Sequence, residues 1–125
     1  MNAYQRWGLL LGTLSEISDV ERQVVIQTMH PASFVPDELM ERWFTLYRDG
    51  RGLVSLHLPD MVLATLDEFD FTLSELLEIM PEQSEDKEEY IRYNEVWSAI
   101  RDMAQVTLQQ IALLTRPEEA AFSPC

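Results

Sequence analysis

The sequence predicts an all-α fold, a small bundle of five or six helices with a long C-terminal helix. Three observations lead to this prediction. Apolar residues recur at spacings of three and four along most of the 125-residue chain, which is the period of an amphipathic helix. Proline followed by an acid stands before two of these runs, at Pro36-Asp37 and Pro59-Asp60, as expected at helix starts. Hydrophobic residues make up 46% of the chain, enough for one core.

Three helices are expected in the first part of the chain. They cover residues 3–15, 19–29 and 36–48, and the first and third carry an apolar stripe with helical spacing. In the second, the run Val24–Ile26 would also suit a strand, but the flanking polar residues favour a helix. Gly8 and Gly12 weaken the first helix, so we expect them to allow close approach of another helix. The prolines and glycines between these stretches supply the turns, because a residue before proline is disfavoured in a helix and glycine suits a helix end.

The middle of the chain combines a strand-like pattern with helix signals. Residues 53–58 alternate between apolar and polar, as in a short strand, but a lone strand has no partner. A buried loop or an early helical turn is therefore favoured there. A fourth helix is expected over residues 59–69. A Thr72-Leu73-Ser74-Glu75 capping box then predicts the start of a fifth helix, which Pro81 closes.

The last helix has the strongest pattern, and we expect it to begin near Ser84. Its apolar seam steps regularly by three and four, which predicts about thirty helical residues and roughly 45 Å of helix. That length exceeds what so small a domain needs, so the helix is expected to pack on more than one side. The seam, predicted to join two copies of the chain, consists of Tyr90, Tyr93, Trp97, Ile100, Ala104, Thr107, Ile111 and Leu114.

The acidic charge of the chain is concentrated in one segment. The net charge is −13, and residues 60–89 hold eleven acids and one base, Lys87, for a net of −10. This segment is either a solvated face or a docking surface for a basic partner. Its candidate partner-binding residues are Asp67, Glu68, Asp70, Glu75, Glu78, Glu82, Glu85 and Asp86.

Composition and motifs exclude several classes of function. Strong negative charge argues against direct binding to nucleic acids or anionic membranes, which attract positive charge. A single cysteine, Cys125, excludes a disulfide framework and a Cys-based zinc site. His30 and His57 lack a neighbouring nucleophile pattern and are expected to be structural. A phosphate-binding role for the turn 49–52 has little specificity. No catalytic, metal-binding or cofactor-binding residue is assigned.

The leading hypothesis is therefore a non-enzymatic, cytoplasmic protein-interaction module that presents an acidic surface to a basic partner and forms a homodimer. Two alternatives stay open: a nucleic-acid mimic that occupies the basic groove of a DNA- or RNA-binding protein, and a metal-dependent hydrolase that uses helical carboxylates. Residues 1–116 are expected to form a single helical domain and residues 117–125 a flexible tail. The short apolar run 7–12 predicts neither a membrane span nor a signal peptide.

Overall fold

The protein is all-helical in the computed structural model, which describes residues 2–82 and 85–115. Those ranges contain no strand, and α3 continues directly into a π-helical turn, Phe44–Arg48. The predicted helical bundle is confirmed, with seven α-helices in the described ranges instead of five or six. They are α1 Ala3–Ile17, α2 Val20–Met29, α3 Val35–Trp43, α4 Arg51–Ser55, α5 Asp60–Ile79, α6 Lys87–Tyr93 and α7 Glu95–Leu114. The expected tail at 117–125 lies outside the described residues.

Local caps explain where several of these helices begin. The Asn2 side chain accepts a hydrogen bond from the Gln5 backbone at 2.8 Å, and the Gln5 side chain accepts one from the Asn2 backbone at 3.0 Å. Asp19 caps α2 by accepting a hydrogen bond from the backbone of Arg22. Such caps satisfy backbone N–H groups that the first helical turn leaves unpaired.

The fourth and fifth predicted helices are one continuous helix, α5. The buried residues Val62, Leu66, Phe69 and Leu73 keep the spacing of four, three and four across the predicted boundary. No proline or glycine interrupts this stretch, so the helix continues through the Thr72–Glu75 capping motif. The segment after Gly50 forms the short helix α4, which agrees with the early helical turn favoured there over a strand.

The C-terminal helix is shorter than predicted because the chain breaks at Asn94. This residue has extended backbone angles, φ −64° and ψ 125°, and ends α6. Its side chain then caps α7 by accepting a hydrogen bond from the Trp97 backbone at 2.9 Å. Asparagine is a favoured N-cap. The apolar spacing did not reveal this break, because Tyr90, on the other side of Asn94, is buried in the same core.

The predicted dimer seam belongs mainly to the core of the single chain. α7 packs chiefly against α5 and α1, and its seam residues Trp97, Ile100, Ala104, Thr107 and Ile111 are buried there. Tyr90 is also buried, Leu114 is half-buried and Tyr93 is 73% exposed beside the break. The buried members are not accessible to a second copy, so a homodimer stays a prediction that must use other residues.

The two glycines of α1 have no close neighbour to explain them. Gly8 and Gly12 are exposed, and a Cβ added at either position would meet no atom within 4 Å among the described residues. The expectation that another helix approaches closely there is wrong within the described residues. Both glycines therefore weaken α1 without a packing benefit inside the described part of the molecule.

Gly8→Ala and Gly12→Ala should each raise the free energy of unfolding by about 0.5–1 kcal/mol, because alanine loses less backbone entropy in a helix. Urea denaturation followed by circular dichroism measures this change. Gly50→Ala is the opposing control, because a Cβ there would lie 2.3 Å from the Cδ atom of Arg6. The Arg6 guanidinium donates to the Leu46 carbonyl at 3.1 Å, so displacing it would break this hydrogen bond. Destabilisation by the α1 substitutions would contradict the prediction.

Candidate protein-interaction surface

The eight predicted partner-binding acids fall into three groups. Asp67 and Asp70 lie on the side of α5 that faces the π-helical turn and α4. Three acids, Glu68, Glu75 and Glu78, are exposed on α5. The remaining acids, Glu82, Glu85 and Asp86, lie between α5 and α6. The structure therefore does not bring all eight together as one continuous surface.

Asp67 is engaged by two residues of the preceding segment. Arg51 donates two hydrogen bonds to its carboxylate, from Nε at 2.9 Å and from Nη2 at 2.6 Å. The hydroxyl of Tyr47, a residue only 1% exposed, donates a third. Hydrogen bonding to Arg51 lowers the pKa of Asp67 below its ordinary value of 3.8, while burial raises the pKa of Tyr47. The charge of Asp67 is thus matched inside the chain.

Asp70 ties the π-helical turn to α5 in a similar way. The indole nitrogen of Trp43 donates to its carboxylate at 2.9 Å, and Arg48 Nε donates at 3.2 Å. Arg48 also donates to Ser74, and its guanidinium lies 4.0 Å from the centre of the Phe44 ring. These contacts leave Asp70 with an internal partner, so it adds little net charge to the outer surface.

The side of α5 that faces away from its buried residues carries acids without internal partners. We define its outer face as Glu68, Phe71, Glu75, Glu78 and Ile79. All five are exposed, and steps of three and four from Glu68 through Glu78 place them along one side of the helix. None of its three acids forms an ion pair with residues 2–82 or 85–115. Phe71 and Ile79 are each 68% exposed.

The connector acids and their one neighbouring base have local roles. Asp86 caps α6 by accepting a hydrogen bond from the Glu89 backbone at 2.9 Å. Lys87, the single base of the acidic segment, donates to the carbonyls of Pro31 at 2.7 Å and Ser33 at 3.0 Å. Since Lys87 binds backbone oxygens of the α2–α3 loop, it neutralises no acid of the outer face.

Sequence reasoning missed Phe71 as a surface residue. Its signal was present, because Phe71 falls outside the core spacing of Leu66, Phe69 and Leu73. It stands three residues after Glu68 and four residues before Glu75, so acids occupy the adjacent turns on either side. An exposed aromatic ring between unpaired acids is the most distinctive feature of this face.

The two histidines and the turn 49–52, which the sequence also singled out, make contacts that serve the fold. His30 ends α2, with its backbone N–H bonded to the carbonyl of Ile26, and the ring of His57 lies 5.6 Å from that of Tyr4. In the turn 49–52, Arg51 binds Asp67, and Arg6 fills the space next to Gly50. Within the described ranges, no group of three or more acidic, histidine or cysteine side chains is placed to hold a metal ion.

Comparison of the chain with protein-family models, with curated proteins and with solved structures finds no match. Fold and surface define the chain as an all-helical protein with an acidic, partly apolar outer face on α5. None of the helices in the described ranges combines the length and the apolar content that crossing a membrane requires.

Proposed function

We propose that the protein is a non-enzymatic, cytoplasmic interaction module whose α5 outer face docks on a basic partner protein. The observation that carries this proposal is the exposure of Phe71 between the unpaired acids Glu68 and Glu75. Aromatic side chains supply much of the binding energy at protein interfaces when a partner pocket removes them from water. The surrounding carboxylates set which partner can approach.

The charges of the outer face contribute mainly to association rate and to selectivity. Acids that lack internal partners attract a positively charged surface over about 10 Å at ordinary salt and repel acidic proteins. Asp67 and Asp70 contribute little, because Arg51 and Arg48 balance their charges. The functional surface we propose is therefore narrower than the segment 60–89, and it includes an apolar anchor as well as charge.

Phe71→Ala and Glu75→Lys should each weaken capture of the partner from a lysate of the source organism by roughly tenfold or more, through loss of the anchor and through repulsion. Quantitative mass spectrometry of proteins retained by the immobilised chain measures this loss. Asp102→Lys is the matched control, because Asp102 is exposed on α7 and the charge change equals that of Glu75→Lys.

Equal capture by the wild type and both α5 variants would contradict the proposal, as would equal loss in the Asp102→Lys control. Washing with high salt should elute a partner held by the acids, because salt screens exposed charges. Elution with duplex DNA or with RNA separates the two kinds of basic partner. A partner that nucleic acid displaces would identify the protein as a nucleic-acid mimic, and one that stays bound would identify an ordinary protein contact.

A further inference from the structure

A groove runs between α3 with its π-helical turn and the C-terminal end of α5. It consists of two adjoining cavities of about 370 Å³ and 450 Å³, and both are lined by Asp37 and Leu77. Each volume falls within the roughly 300–1,000 Å³ range typical of ligand pockets. The groove is separate from the outer face, because Leu77 and Met80 pack towards the core and none of its lining residues belongs to that face.

Aromatic side chains and the Arg48 contacts define the two ends of the groove. At one end, Arg48, which lines the second cavity, spans from Phe44 to Asp70, and the Asp70 carboxylate also accepts a hydrogen bond from the Trp43 indole nitrogen at 2.9 Å. At the other end, the Phe34 ring packs edge-on against Tyr90 at 5.0 Å. Well-packed residues therefore hold both ends, so the groove is part of the folded core architecture.

The Tyr90 hydroxyl also holds in place the part of the groove wall that comes after α5 in the chain. It donates a hydrogen bond to the Pro81 carbonyl at 2.5 Å, and Pro81 lines the first cavity. Burial raises the pKa of Tyr90, and the nearby carboxylate of Asp37 raises it further. The hydroxyl thus stays protonated and keeps donating to Pro81 throughout the neutral pH range.

The floor of the groove is apolar and adaptable. Met40, Phe44, Leu77 and Met80 line it, and all four pack against or belong to the hydrophobic core cluster. Methionine side chains are unbranched and polarisable, so they adjust to the shape of an apolar ligand. A floor of this kind suits leucine-like side chains inserted from a partner helix.

The rim of the groove is acidic. Asp37, Glu41, Asp49 and Glu82 line the two cavities, and none of them forms an ion pair with the described part of the chain. Arg48 is the base among these lining residues, and its charge is matched by Asp70 at 3.2 Å. The rim therefore favours a positively charged ligand around an apolar centre.

We infer that this groove binds a cationic amphipathic α-helix of a partner protein, about three turns long. Asp37, Glu41, Phe44 and Arg48 follow one another at steps of four, three and four along one wall. Those eleven steps correspond to roughly 17 Å of helix, or about three turns. Apolar residues at helical spacing enter the cavities, while lysines or arginines beside them meet the acidic rim.

The test uses a labelled synthetic peptide of about fourteen residues, with leucines at helical spacing and lysines elsewhere. Fluorescence anisotropy with the full chain should show saturable binding. A scrambled peptide of the same composition and a leucine–glutamate version should bind at least about tenfold more weakly, because they lack the apolar stripe and the positive charge respectively. Absence of saturable binding, or equal binding of the scrambled peptide, would overturn the inference.

Matched variants locate the binding site. The pair Asp37→Lys and Glu41→Lys should weaken binding by about tenfold or more, through repulsion at the rim. The pair Glu68→Lys and Glu75→Lys makes the same charge change on the outer face and should alter affinity by less than about threefold. Equal losses in the two pairs would overturn the inference, because they would indicate non-specific attraction to an acidic chain.

A second comparison tests the apolar floor. Leu77→Ala should weaken peptide binding several-fold, whereas Ile79→Ala, two residues away on the exposed side of α5, should have no effect. Circular dichroism checks that both variants remain folded. Unchanged affinity in folded Leu77→Ala would overturn the inference. Failure of this inference and failure of the proposed function can be told apart. Peptide binding depends on Asp37, Glu41 and Leu77, whereas capture from the lysate depends on Phe71 and Glu75.

Discussion

Replacement of Trp97 by glutamate should unfold the protein. Trp97 is 0% exposed, and its indole nitrogen donates to Gln23 Oε1 at 2.9 Å. Gln23 in turn donates to the carbonyls of Glu16 and Ile17, each at 2.7 Å. The substitution removes a large buried ring, breaks the link from α7 to α2 and to the end of α1, and forces a carboxylate into the core.

The expected cost exceeds about 4 kcal/mol, which is a large share of the roughly 5–15 kcal/mol that stabilises an ordinary domain. Thermal melts followed by circular dichroism should show no cooperative transition, or a midpoint lowered by more than about 15 °C. Tyr93→Glu is the matched control, because Tyr93 belongs to the same sequence seam but is exposed. Its midpoint should stay close to that of the wild type. Equal stability of the two variants would show that α7 is packed differently.

Removal of the Asp67 carboxylate in Asp67→Ala should lower the free energy of unfolding by about 2 kcal/mol at neutral pH. The substitution leaves the hydroxyl of the buried Tyr47 without its acceptor and releases Arg51. Most of the loss comes from Tyr47, because solvent screens the Arg51 pair, whose side chains are each 44% exposed. Glu68→Ala, the neighbouring exposed acid, should change stability by less than about 0.5 kcal/mol.

The effect of Asp67→Ala should depend on pH in a defined direction. Arg51 lowers the pKa of Asp67 in the folded chain below 3.8. A carboxylate with a lowered folded pKa stabilises fully above its unfolded pKa and loses that contribution as pH falls through the folded pKa. Urea denaturation of both proteins between neutral pH and about pH 3 should show their stability difference shrinking with acidification. A difference that stays constant would rule out the ionised carboxylate as its source.

The helices themselves were largely predictable, because their signals are local. The spacing of apolar residues identified helical segments. Asp19 marked the start of α2, since its side chain accepts a hydrogen bond from a backbone N–H only three residues later. Errors arose where two local signals competed. At Thr72–Glu75 the capping motif predicted a new helix, but the core spacing is uninterrupted and α5 continues through it. At Asn94 the cap starts α7, although the apolar period of the seam continues past this residue.

The candidate sites were less predictable. Concentration of acids in the segment 60–89 was visible, but the sequence did not separate the acids with internal partners from those without. That separation depends on Arg51 and Arg48, which lie sixteen and twenty-two residues from Asp67 and Asp70. The groove was not predicted at all, because its walls come from α3 and from the end of α5.

From the sequence alone it follows that this protein is helical and that one segment carries most of its negative charge. These properties follow from helical spacing, from caps within one turn, and from composition. Three further properties emerge only from the folded arrangement: the α7 seam packs within its own chain, Asp67 and Asp70 are neutralised, and Phe71 is exposed. Burial and charge pairing depend on which helices meet, and those contacts join residues far apart in the chain.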